Sequence, residues 1–132
     1  MSATLTTRRI FVFGSNKAGR HGAGAALTAK RKHGAIQGQG LGPAGESYAI
    51  STKDAALNPL SLADIKHSVE TFLGYARENS HLEFQITQIG CGLAGFRPSV
   101  IALLFASAPS NCLFDERWRE WLPQTARFWG TF

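Results

Sequence analysis

A chain of 132 residues is long enough for one domain and too short for two. Hydrophobic residues make up 44% of it, enough for a core, yet no apolar run approaches the roughly 18 residues that cross a bilayer, and two cysteines cannot make a disulfide framework. With a net charge of +5 and nothing at the amino end that reads as a secretion signal, the expectation is a basic cytoplasmic protein with no membrane association.

Residues 1–7 are polar and read as a loose amino terminus. Arg9–Phe13 is the first strand, running straight into Gly14-Ser15-Asn16. Gly19, Gly22 and Gly24 follow, and a run of helix formers then predicts a helix from Gly22 that stops at Gly34. A glycine loop opening a helix leaves backbone N–H groups free beside the positive end of the helix dipole, which makes it a phosphate cradle. Residues 1–45 carry Arg8, Arg9, Lys17, Arg20, Lys30, Arg31 and Lys32 and no Asp or Glu, so the positive potential sits with this loop. Lys30-Arg31-Lys32 reads equally well as a solvated helix face.

Ala35-Ile36-Gln37 predicts a short strand, and 37–45 is either a flexible loop or a tight β-connection. Ser47–Ser51 is a second strand, ending in Thr52-Lys53-Asp54. A helix begins at Leu60-Ser61, with Ser61 and Asp64 near capping-box spacing, and carries Ile65, Val69, Phe72, Leu73 and Ala76 on one face to about Ser80. Leu82 to Ile89 alternates as a strand and meets Gly90-Cys-Gly-Leu-Ala-Gly-Phe96. Arg97-Pro98 opens a third helix through Ala106. Asn111–Phe114 is a last strand, Asp115–Leu122 a helical turn, and the tail to Phe132 is dense in aromatics. Strands alternating with helices predict an α/β domain with a largely parallel sheet, whose ligands sit beyond the carboxyl ends of the strands. Both glycine loops follow strands, so both belong to one edge.

Those two loops resemble the ligand loops of the macro domains. The resemblance rests on Gly14-Ser15-Asn16 at a strand end, Gly22-Ala-Gly24-Ala-Ala26 opening the next helix, and Ile89-Gly90-Cys-Gly92-Leu-Ala-Gly95-Phe96 between a strand and a helix. It spans residues 9–114 and implies one three-layer α/β/α domain over 8–132 with a mostly parallel central sheet. It also implies a site for ADP-ribose or a related nucleotide diphosphate, with hydrolysis of an ADP-ribosyl linkage as the reaction of catalytic members. The binding residues so implied are Gly14, Ser15, Asn16, Gly22, Ala23, Gly24, Thr52, Lys53, Asp54, Gly90, Cys91, Gly92, Leu93, Ala94, Gly95 and Phe96. Asn16 would contact the distal ribose, Phe96 would pack on a ribose, and Cys91 to Phe96 would wrap the diphosphate. No acid precedes Glu46, so the family's acidic reader of adenine has no counterpart there, and Asp54 is the substitute.

Asn16, Asp54 and His21 are the candidate catalytic residues. Each has a bland alternative: an Asx-turn for Asn16, a surface ion pair for Lys53-Asp54, an exposed loop histidine for His21. The loop's N–H groups and cations would lower the pKa of Cys91, but with no partner base in view it reads as a small residue tolerated against phosphate. His and Cys lack metal-ligand spacing, so neither metal nor cofactor is expected. Two other classes compete with a binder of small ligands. One is an RNA- or DNA-binding module using the basic first third, although basic and aromatic residues do not interleave. The other is a protein-interaction module, with the aromatic tail either covering an apolar face or joining copies of the chain.

Overall fold

The computed structural model describes residues 8–92 and 94–132, so Leu93 and residues 1–7 lie outside the described residues. A six-stranded sheet runs through the molecule. β1 is Arg9–Asn16, β2 Gly42–Ala44, β3 Ser47–Lys53, β4 Glu83–Ile86, β5 Cys112–Asp115 and β6 Arg127–Gly130. Their order across the sheet is β2-β3-β1-β4-β5-β6, and every pairing is parallel except β2 with β3.

β1 is central because it is apolar on both faces. Ile10 and Val12 point to one side and Phe11 and Phe13 to the other, as the two-residue repeat of a strand requires. Helix α2 (Leu62–Glu78) covers the first side with Ile65, Val69, Phe72, Leu73 and Ala76. Its start is capped by Ser61, whose hydroxyl accepts from the Asp64 N–H at 3.2 Å. The second side is covered by helix α1 (Gly24–Lys32), which brings only Ala26 and Ala29 to the contact. Small residues let α1 lie close to the sheet, and the aromatic rings of β1 fill the space. His33 stacks on Phe11 with centroids 4.4 Å apart. The arrangement is the three-layer α/β/α domain that the alternation of elements implied.

Three elements differ from expectation. Residues 35–37 form no strand. The chain turns there, and the pairing falls to β2, joined to β3 through Gly45-Glu46. The third helix is only α3 (Pro98–Ile101), continued as a 3-10 helix over Ala102–Phe105, because the apolar run must fit a short span between two loops. The tail adds β6 to the sheet. Trp118 is fully buried, and the Trp129 indole N–H donates to the Ile86 carbonyl at 3.0 Å. Among the described residues no helix is long and apolar enough to cross a membrane.

Candidate functional site

Because β1, β3, β4 and β5 are parallel, their carboxyl ends share one edge of the sheet. A cleft of about 740 Å³ opens there, a volume in the range of small-molecule sites. One wall is Gly22, Ala23 and Gly24 with the first turn of α1. The facing wall is Gln88 to Gly92 with Ala94. Gly14, Ser15, Asn16, Thr52 and Lys53 lie between them, and Asp115, Arg117 and Phe132 close the β5 side.

The α1 wall is built to donate. No side chain caps the helix, Ala23 holds the N-cap position in extended conformation, and the first intrahelical bond runs from the Leu27 N–H to the Ala23 carbonyl. The N–H groups before Leu27 therefore lack intrahelical partners, and no acid sits in that turn to neutralise them. The opposite loop is tied to itself: the Cys91 N–H donates to the Gln88 carbonyl (3.1 Å), Gly95 to Gly92 (3.0 Å) and Phe96 to Gly90 (2.8 Å). These bonds bend it back on itself and hold Gly90 to Gly92 at the cleft.

Gly22 and Gly92 are informative by what does not require them. Neither has a positive φ, and a Cβ added at either would meet no protein atom within 4 Å. Nothing inside the fold demands glycine at these two places, and both line the cleft. Room for a close ligand is the remaining use of a missing side chain.

The comparisons with solved structures agree with this layout. The macrodomain of Mycobacterium tuberculosis DarG superposes with a TM-score of 0.62 at 21% identity, covering 82% of this chain and 88% of that one. Thermosipho africanus DarTG in complex with ADP-ribose gives 0.58 at 13% identity, covering 92% of this chain and 39% of that one. A protein of unknown function from Bacteroides thetaiotaomicron gives 0.57 at 14% identity, covering 80% and 82%. The chain has the macrodomain fold. No family model matches the sequence, and no curated protein matches it.

Several expected residues take different places in this macrodomain. Asn16 lines the cleft, but its amide is engaged with the chain: Oδ1 accepts from the Arg20 N–H (3.0 Å) and Nδ2 donates to the Arg20 carbonyl (2.9 Å). An amide nitrogen carries two protons, so one is left for a ligand. His21 is neither a cleft residue nor an exposed loop residue. Its ring is fully buried, edge-on to Phe13 at 5.2 Å, with Nε2 3.1 Å from the Ser15 hydroxyl. Asp54 does not line the cleft either. Its Oδ1 accepts from the N–H groups of Ala56 and Asn58, both at 2.9 Å, and shapes the turn on which Leu57 (φ 67°) reaches the cleft. Gly95 and Phe96 stand behind the cleft wall, Phe96 packing on the core beside Gly90. Cys91 lines the cleft, but burial pushes its thiol up to about 11, opposite to what an activated nucleophile needs.

Other cleft residues carry little mark in the sequence. Arg117 and Phe132 belong to the tail and reach the cleft because the buried Asp115 holds them. Its Oδ1 accepts from the Arg117 N–H (2.9 Å), and its Oδ2 accepts from the Thr131 hydroxyl (2.9 Å) and the Phe132 N–H (3.3 Å). The Arg117 guanidinium donates to the Phe132 carbonyl at 2.7 Å and faces the Gln88 amide. Position at a strand end on the ligand edge was the one available signal for Asp115 and for Thr87. Phe132 had none. Among the described residues no three His, Cys, Asp or Glu side chains stand together as a metal site.

Proposed function

We propose that this chain is a macro-domain module that binds ADP-ribose or a related nucleotide diphosphate in the cleft at the carboxyl edge of the sheet. The observation that carries the reading is the facing pair of glycines, Gly22 and Gly92, whose missing side chains the fold itself does not require. The diphosphate would lie between the free N–H groups of α1 and the Gln88–Gly92 wall, with Arg20, Lys53 and Arg117 supplying positive charge. The ADP-ribose complex of Thermosipho africanus DarTG supports the same ligand class on the same fold. Binding is favoured over hydrolysis. The sole carboxylate among the described lining residues is Asp115, both of whose oxygens are committed within the protein. His21 reaches the cleft only through Ser15, and Asp54 does not reach it.

The test is a melting experiment with ADP-ribose, ADP, AMP and NAD. A ligand at about a hundred times its Kd stabilises the native state by about 2.7 kcal/mol, a rise on the order of 10 °C for a domain of this size. Gly92→Val and Gly22→Val are expected to melt near the parent without ligand and to lose most of the rise with it. If none of the four nucleotides raises the melting temperature at millimolar concentration, the ligand assignment is wrong.

A further inference from the structure

The two walls of the cleft donate, and its floor is built the other way. Three hydroxyls lie side by side there on the neighbouring strands β3, β1 and β4: Thr52, Ser15 and Thr87, which follows β4 directly. Each is almost wholly buried at the cleft, and each has an inward use for its proton. The Thr52 hydroxyl donates to the Ser15 carbonyl at 3.3 Å, and the Thr87 hydroxyl donates to the Val12 carbonyl at 2.8 Å. Ser15 has His21 as its partner, with Oγ to Nε2 at 3.1 Å.

The direction of that last bond follows from the surroundings of His21. Burial, and then the charge of Lys30, lowers its pKa against a smaller upward pull from the Gln39 backbone carbonyl, so the imidazole is neutral near neutral pH. Nδ1 has no partner within hydrogen-bonding geometry. The one polar group that favours a ring proton is the Gln39 carbonyl. A proton kept on Nδ1 leaves Nε2 a bare lone pair, to which the Ser15 O–H donates. The ring has no freedom to turn away. Its own backbone N–H donates to the Gln37 side chain (3.2 Å), and its edge packs on Phe13.

A hydroxyl whose proton is turned inward presents lone pairs outward, accepts from a ligand O–H and repels a phosphate oxygen. We propose that Thr52, Ser15 and Thr87 form an acceptor floor that reads the hydroxyls of a sugar, and that His21 is a positioning residue holding the Ser15 proton inward. The inference rests on the nucleotide-diphosphate reading and deepens it. The walls recognise the phosphates and the floor recognises a polyol, so the ligand class is a sugar carried on a diphosphate rather than a bare polyphosphate.

Titration calorimetry with ADP-ribose and with inorganic pyrophosphate, which has no sugar hydroxyl, separates the two halves of the site. Ser15→Ala and Thr52→Val are each expected to lower the ratio of ADP-ribose to pyrophosphate affinity about 3- to 10-fold, the worth of one hydrogen bond. His21→Phe keeps the hydroxyl and frees its proton, so it is expected to weaken ADP-ribose while strengthening pyrophosphate. A loss of structure would instead weaken both. In the double variant Ser15→Ala/His21→Phe, the ratio is expected to match that of Ser15→Ala alone, since without the hydroxyl the histidine has nothing to orient. Unligated melting curves for each variant show whether it folds, and Thr52→Val carries the test if His21→Phe does not. An unchanged ratio in Ser15→Ala and Thr52→Val overturns the floor while leaving the cradle intact. Parent protein that binds pyrophosphate as tightly as ADP-ribose overturns it as well. Parent protein that binds neither overturns the function reading, and the floor falls with it.

Discussion

Asn16 and His21 stand five residues apart in one loop, and their side chains serve the chain before they serve any ligand. Asn16 closes a short ring with the Arg20 backbone, and His21 is packed beneath Ser15. The sequence marked both correctly as belonging to the loop at the mouth of α1. It could not say which way either side chain turns, because that depends on what packs from behind. For His21 the consequence is a pH dependence of stability. Both His21 and His33 have pKa values lowered from 6.5, chiefly by burial and then by neighbouring lysines. The unfolded chain therefore takes up protons first as pH falls. The stability contributed by the neutral rings is complete above about pH 6.5 and declines as pH drops toward the folded values. Urea unfolding at about pH 7.5 and about pH 5.5 is expected to show a lower free energy at the acid end, and a smaller drop in His21→Phe. Equal drops in parent and variant would mean that His21 is not held neutral by the fold.

The glycine segment 37–45 is the element whose role was least visible. Its breakers suggested a flexible loop or a tight connection, and a short β-strand was expected over 35–37. In the fold it is a buttress behind the first ligand loop. The Gly38 N–H donates to the Gly19 carbonyl at 2.8 Å, Gln37 holds His21, and the Ser51 hydroxyl donates to the Gly40 carbonyl at 2.6 Å. Gly40 lies so close to β1 that an added Cβ would stand 1.8 Å from the Asn16 carbonyl oxygen. Gly40→Ala must push main chain aside and is expected to cost about 1–3 kcal/mol, as overpacking does. The same change at Gly74, in mid-helix with no atom within 4 Å of the new Cβ, is expected to stabilise by about 0.5–1 kcal/mol. Denaturant titration of the two variants checks the opposite signs, and a neutral Gly40→Ala would show that the two loops are not in contact. Legibility here follows physical range. β1 was readable because its apolar run reports burial on both faces, and α2 because its stripe has a helical period. The contact between segments 16–20 and 37–40 is glycine against glycine, and a missing side chain leaves no pattern to read.

At the scale of the molecule, the parallel order of four strands brings the site together, and the tail completes it. The alternation of strands and helices announced the sheet and its ligand edge. β6 escaped because four residues in an aromatic tail show no period, and its pairing with β5 is a matter of tertiary contact. Deleting residues 118–132 removes Trp118 from the core, β6 from the sheet edge, and the Thr131 and Phe132 partners of the buried Asp115 carboxylate. A buried charge stripped of its partners and a core stripped of its largest side chain each cost several kcal/mol, about the whole stability of a domain this small. The truncated chain is expected to lose cooperative thermal unfolding by circular dichroism. Trp129→Phe, which keeps a ring and removes only the bond to the Ile86 carbonyl, is expected to cost about 1 kcal/mol and to leave the sedimentation coefficient unchanged. If the tail serves mainly to join copies of the chain, the deletion gives the other outcome: a folded protein that melts like the parent and sediments as a smaller species. The two results are separable in one pair of measurements, because the sheet needs the tail within a single chain and an interface needs it only between chains.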